Sequence, residues 1–165
     1  MRRGSLKIVV GIAGIISIIF ILMKKNIINM GSRGMRNNNP FNMNKTDSLW
    51  LGLVPGSDVR FASFIDLEHG VRAGLINLFN GYFSRNLTLR QIVGKYAPAS
   101  DNNNELAYVE AIRKKTGIIG EQVPSKGQWL SVASAILFHE NGFEVMNVDQ
   151  LKEVVIKFKL SSYGG

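Results

Sequence analysis

Between Ile8 and Met23 the chain carries no charged residue. Beyond that run, apolar positions recur three or four apart and are separated by loops rich in asparagine, glycine and proline. The first pattern, Leu6–Met23, is a continuous apolar block with Lys7 and Lys24 near its ends. Eighteen helical residues at about 1.5 Å each reach roughly 27 Å, close to the thickness of a bilayer core. A cleaved signal peptide fits less well, because "KKNII" follows the block where a small-residue cleavage site would stand. The pattern therefore predicts one transmembrane helix within a basic-flanked anchor at 1–25, a linker at 26–35 and a folded domain at 36–165.

Inside that domain "KTDSLWLGLVPGSDVRF" is dense in turn formers and predicts irregular or short β structure. From Asp66 the period changes: Val71, Leu75, Leu78, Phe79 and Tyr82 fall at helical spacing, with Ser63 and Asp66 as a candidate capping pair. "TLRQIVGKYAP" predicts a second helix that starts at Thr88 as N-cap and stops before Pro98. "NNNELAYVEAIRKKTG" predicts a third, with three bases in its last turn and Gly117 as its stop. "GQWLSVASAILFHENG" predicts a fourth, ending at Gly142. The tail "VDQLKEVVIKFKL" suits a helix through Leu151, Val154, Val155 and Phe158, or a strand through Ile156, Phe158 and Leu160. The expected fold class is mainly α with a small irregular or β segment, preceded by the transmembrane helix.

Charge changes this picture little. The formal net charge is +8, but residues 1–36 hold seven Lys/Arg and no acid, leaving thirteen bases against twelve acids in the rest. A nucleic-acid binder concentrates its bases on the folded face that meets phosphates, so no nucleic-acid partner is expected. The basic excess instead flanks the apolar block, which points to lipid through residues 6–23. With no cysteine there is no disulfide, thiolate nucleophile or zinc thiolate site. His69 and His139, the only histidines, have no acid at metal-ligand spacing. No metal and no cofactor is expected.

One carboxylate stands out. Val132, Ala133, Ile136 and Leu137 form an apolar stripe on the fourth predicted helix, and the next position on it is Glu140. Burial and the negative end of the helix dipole both disfavour an anion there, which makes Glu140 a candidate proton donor for a glycosidic oxygen. Asp66 and Glu68 suit a helix start, Asp58 and Asp101 suit turns, and Glu105 and Glu110 suit an exposed face. None pairs with a second acid in sequence. The run "RNNNPFNM" at 36–43 admits two readings: amides that match sugar hydroxyls and N-acetyl groups, or a rigid local turn.

Together "RGMRNNNPFNM", "WLG", "DVRFASFIDLEHGVRAGLINL", "YAPASDNNNELAYVEAIRKKTG" and "AILFHENG" resemble a family of phage virion-associated peptidoglycan-degrading proteins over residues 33–143. More distantly, they resemble the glucosaminidase and lytic transglycosylase branches of the lysozyme superfamily. Since "HENG" follows "NNNPFN" here, the resemblance implies a circularly permuted, lysozyme-like helical domain. It implies Glu140 as catalytic acid, Asn38 and Asn39 lining a glycan groove, and Tyr96 on the far wall. Trp50 and Trp129 are candidates for sugar stacking or for the core. The implied activity is a peptidoglycan lytic transglycosylase acting on glycan strands, with muramidase or glucosaminidase as alternatives. The implied setting is a virion membrane, or the host inner membrane with the domain facing the periplasm. A non-catalytic membrane-bound virion structural protein or glycan-binding module is the other reading.

Overall fold

Side chains supplied by the sequence start most of the helices. In the computed structural model, which describes residues 31–101 and 103–160, Ser32, Asp66, Thr88, Asn104 and Asn147 each accept a hydrogen bond from the backbone N–H three residues on. These caps satisfy amides that have no partner inside the helix. They open α1 (Arg33–Arg36), α2 (Leu67–Gly81), α3 (Leu89–Tyr96), α4 (Glu105–Thr116) and α6 (Val148–Lys157). The remaining helix, α5 (Trp129–Asn141), continues directly from a 3₁₀ turn over Lys126–Gln128. Gly117 and Gly142 end α4 and α5 with φ of 75° and 78°, a left-handed conformation that favours glycine.

The core forms where these helices bury their apolar faces. α2 contributes Val71, Leu75, Leu78 and Phe79, and α5 contributes Val132, Ala133, Ile136 and Leu137. α5 packs on α4 and α6, and α2 packs on α6. Trp129 lies in this core: its ring stacks on Phe83 with centroids 5.4 Å apart, and its indole N–H donates to the Pro124 carbonyl at 3.2 Å. Trp50 packs against the edge of the core.

The segment predicted as irregular or β contains β1 (Leu53–Val54), which pairs antiparallel with β2 (Ser63–Phe64) in the register Leu53 to Phe64 and Val54 to Ser63. An isolated bridge from Asn44 to Phe61 extends the arm. Arg33 ties its tip to α1 through two bonds to Asp58, at 2.6 and 2.7 Å. Ser63 belongs to β2 and donates to Asn37, so Asp66 alone caps α2. The ambiguous tail is helical, with Leu151 and Val154 buried.

The mainly helical architecture agrees with the sequence reading, but the transmembrane helix expected before it is not supported. Among the described residues no helix is long and apolar enough to cross a membrane. The longest, α2, has 15 residues and carries Glu68 and Arg72, whereas a span needs about 20 predominantly apolar residues. The expected span at 6–23 lies outside the described residues. A single-pass membrane localisation is therefore not supported either. Residues 32–35, assigned from sequence to a linker, belong to the compact unit that starts at Ser32.

Candidate functional site

The asparagine run builds a loop whose own polar groups hold it together. Asn37 Nδ2 donates to the Arg33 carbonyl and to Asp58 Oδ2, each at 3.1 Å. Asn38, at φ 50°, donates from Nδ2 to the Phe64 carbonyl at 2.9 Å. Asn39 is fully buried: Nδ2 donates to the carbonyls of Met43 and Ala62, both at 2.9 Å, and Oδ1 accepts from the Met43 amide at 3.0 Å. Burying an amide is tolerable when each end is satisfied, and here each is.

Two side chains from later in the chain fasten the rest of this loop. Asn141 Nδ2 donates to the Pro40 carbonyl at 2.8 Å, while its Oδ1 accepts from the Ser32 hydroxyl. Tyr96 Oη donates to the Phe41 carbonyl at 2.5 Å. The loop is thereby brought against the C-terminal turn of α5, where Asn42 and Glu140 meet. Asn42 Nδ2 donates to Glu140 Oε2 at 2.6 Å, and Tyr108 Oη, from α4, donates to Glu140 Oε1 at 2.8 Å.

Glu140 is partly buried, one helical turn beyond Ile136 on the apolar stripe. Burial, followed by the neighbouring Tyr96 and Glu140, pushes the Tyr108 phenol well above its ordinary value. Burial, followed by Glu140 and Tyr82, does the same to Tyr96. Both phenols therefore remain neutral donors at physiological pH. The His139 ring stacks on Tyr108 with centroids 3.7 Å apart, and burial lowers its pKa against the opposing pull of Glu140.

Glu140 opens into a cleft of about 390 Å³, within the range of small-ligand sites. Polar side chains dominate its lining, among them Asn42, Asn44, Asn77, Asn103, Tyr82 and Tyr96. The cleft holds a second acid, Asp101, whose Oδ2 lies 2.5 Å from Arg60 Nη2. Among the described residues no cluster of His, Asp and Glu could hold a metal ion.

Of the residues singled out from sequence, Glu140 and Tyr96 line this cleft and Asn38 and Asn39 do not. The latter two are occupied inside the loop because their amides complete the backbone pairing of 37–43 with 62–64. Asn42, Tyr108 and Asp101 had not been assigned to the site. Tyr108 and Ile112 are buried one turn apart on α4, a helical spacing visible in the sequence, but nothing in that spacing aims the Tyr108 hydroxyl at Glu140. Asn42 stands 98 residues from Glu140, and only the folded loop joins them.

No protein-family profile matches the chain. Protein P5 of Pseudoalteromonas phage PM2 is 31% identical to it over 131 residues, which takes in 76% of this chain and 81% of P5. Similarity that runs through most of both chains, rather than through one motif, marks common descent, and the chain belongs to the family of phage PM2 protein P5.

Proposed function

We propose that the protein cleaves the glycan strand of peptidoglycan as a lytic transglycosylase, serving a phage in cell-wall penetration or lysis. The observation that carries this reading is Glu140: a partly buried carboxyl at a polar cleft, with a neutral donor on each oxygen. Amide and phenol groups in the cleft match the hydroxyl and N-acetyl groups of an uncharged sugar backbone. The resemblance to lysozyme-superfamily enzymes supports the same assignment.

In this mechanism the Glu140 carboxyl proton passes to the glycosidic oxygen as the bond from that oxygen to the muramoyl C1 breaks. The resulting carboxylate then takes the proton of the muramoyl 6-hydroxyl as that oxygen bonds to C1, which closes a 1,6-anhydro ring and restores the acid. No water is consumed and one residue performs both transfers. Tyr108 and Asn42 donate to the carboxylate that exists between the two transfers.

A second reading rests on Asp101. An inverting muramidase needs a second carboxylate to activate water, and Asp101 shares the cleft with Glu140. Its ion pair with Arg60 favours the single-acid mechanism. Digestion of purified peptidoglycan by wild type, Glu140→Gln and Asp101→Asn, with products read by mass spectrometry, decides between them. Anhydro-muramoyl ends that vanish only in Glu140→Gln support the transglycosylase. Reducing ends that require both acids support the muramidase. Wild-type activity in Glu140→Gln overturns both.

A further inference from the structure

The two ends of the Asn42 amide stand in unequal circumstances. Nδ2 lies 2.6 Å from Glu140 Oε2, whereas Oδ1 is buried with no hydrogen-bond partner. A buried amide oxygen without a partner costs stability, and where a native chain retains one, the other end of the group needs an explanation. The surroundings of Asn42 fix it in this orientation. Its backbone sits at φ 51°, a left-handed conformation that asparagine tolerates far better than most residues. Its N–H donates to the Asn39 carbonyl at 2.9 Å, and Asn39 is itself locked in the buried pairing of the loop. Gly34 makes room: a Cβ there would lie 2.5 Å from Asn42 Oδ1 and 2.6 Å from the Asn39 carbonyl. Tyr96 pins the preceding carbonyl, that of Phe41.

We propose that Asn42 is a positioning residue for Glu140, holding Oε2 with its amide N–H so that the carboxyl keeps one orientation in the cleft through both proton transfers. The inference rests on the catalytic reading of Glu140 and goes beyond it by assigning a task to a residue 98 positions away in sequence. An amide N–H can only donate, so it binds most strongly to the carboxylate left after the first transfer. The unpartnered Oδ1 is the consequence of aiming the donor end at Glu140. A side chain whose whole surroundings are arranged around one contact behaves like the supporting residues of other catalytic groups, where loss of orientation rather than of binding is what slows the reaction.

The test uses the full chain and two substitutions that preserve the left-handed backbone. Asn42→Gly deletes the amide, and Asn42→Asp keeps its shape while replacing the donor with an oxygen facing Glu140. Both are assayed on purified peptidoglycan beside wild type and Glu140→Gln, with kcat and KM separated, melting temperature recorded and sedimentation with insoluble peptidoglycan measured. Asn42→Gly and Asn42→Asp are expected to lose about 100-fold in kcat, the scale of a misplaced catalytic group, with KM and sedimentation near wild type. A merely structural role would lower melting temperature and leave kcat per folded molecule unchanged, and that result overturns the inference. Loss confined to KM overturns it too, since Asn42 would then be a substrate contact. If Asn42→Gly does not fold, Asn42→Asp decides. An inactive Glu140→Gln beside fully active Asn42 variants removes this inference alone, whereas a fully active Glu140→Gln removes the catalytic reading and this inference with it.

Discussion

Tyr108 and Glu140 are joined by a 2.8 Å hydrogen bond from the phenol to Oε1 of the carboxyl group, and the residue before Glu140 in the chain, His139, stacks on the same phenol ring. The ring is thus held by packing and the hydroxyl by Glu140, so the two contributions separate on substitution. Tyr108→Phe keeps the ring and its stack on His139 and removes only the donor. A hydrogen bond to a charged group is worth about 1.5–3 kcal/mol, which corresponds to roughly ten- to a hundredfold in rate if it is lost only in the reaction step. The expected result is a fall in kcat of that order, with a stability change of about 1 kcal/mol by denaturant titration. Wild-type turnover by Tyr108→Phe would remove the hydroxyl from the site.

Asn39 is expected to matter for folding and not for glycan contact. Asn39→Ala leaves the Ala62 carbonyl and the Met43 amide without partners, while the Met43 carbonyl keeps only the Ala62 N–H. Each such loss costs about 1–3 kcal/mol, so a total of about 2–5 kcal/mol is expected once some relaxation is allowed. Urea titration measures it. Sedimentation of the remaining folded protein with peptidoglycan, at low temperature, is expected to match wild type. A stable Asn39→Ala with weakened sedimentation would instead return Asn39 to the groove.

Local signals account for what was legible in the sequence. The caps at Thr88 and Asp66, the glycine stops at 117 and 142, and the apolar stripes of α2 and α5 depend on residues within a few positions of one another. Glu140 was visible for the same reason, as a carboxylate continuing a local stripe. The tail kept two readings because its alternation served either period; burial of Leu151 and Val154 against the other helices decides for the helix. The roles of Asn38, Asn39 and Asn42 were not legible. Chemically identical side chains close together in sequence were sorted by long-range partners: the Phe64 and Ala62 carbonyls for the first two and Glu140 for the third.

Asp58 couples the β arm to α1 and makes that coupling sensitive to acid. Its carboxylate accepts from the Arg33 guanidinium, the backbone amides of Phe61 and Arg60, and Asn37. The Arg33 bond, then the Phe61 amide, hold its pKa well below the usual carboxylate range. A folded-state pKa below the unfolded one contributes stability above the unfolded value, near 3.9, and loses it as pH falls towards the folded value. Asp58→Asn is therefore expected to be less stable than wild type at pH 7. The gap should narrow progressively below about pH 4. Urea midpoints of the two proteins at pH 7, 5, 4 and 3 check this, and a gap independent of pH would show that the bonds to Asp58 act through shape alone.

Two glycines of α2 make opposite predictions for one substitution. Alanine is favoured over glycine in a helix by up to about 1 kcal/mol, so Gly→Ala stabilises wherever the new methyl group finds space. At Gly81 a Cβ would meet nothing within 4 Å, and Gly81→Ala is expected to raise stability by a few tenths to about 1 kcal/mol. At Gly70 a Cβ would run into the backbone carbonyl of Asn38, an atom that cannot swing aside as a side chain does. The clash outweighs the helical gain, since overpacking costs about 1–3 kcal/mol. To relieve it, α2 or the loop that leads to Asn42 must shift. Gly70→Ala is thus expected to lower both stability and the proposed glycan-cleaving activity, whereas Gly81→Ala raises the first and leaves the second unchanged. Paired urea titrations and peptidoglycan assays read both effects. Full activity in a destabilised Gly70→Ala would mean that α2 yields and the loop keeps Asn42 on Glu140; loss of activity beyond the unfolded fraction would mean that the close approach of α2 to Asn38 sets the geometry of the site.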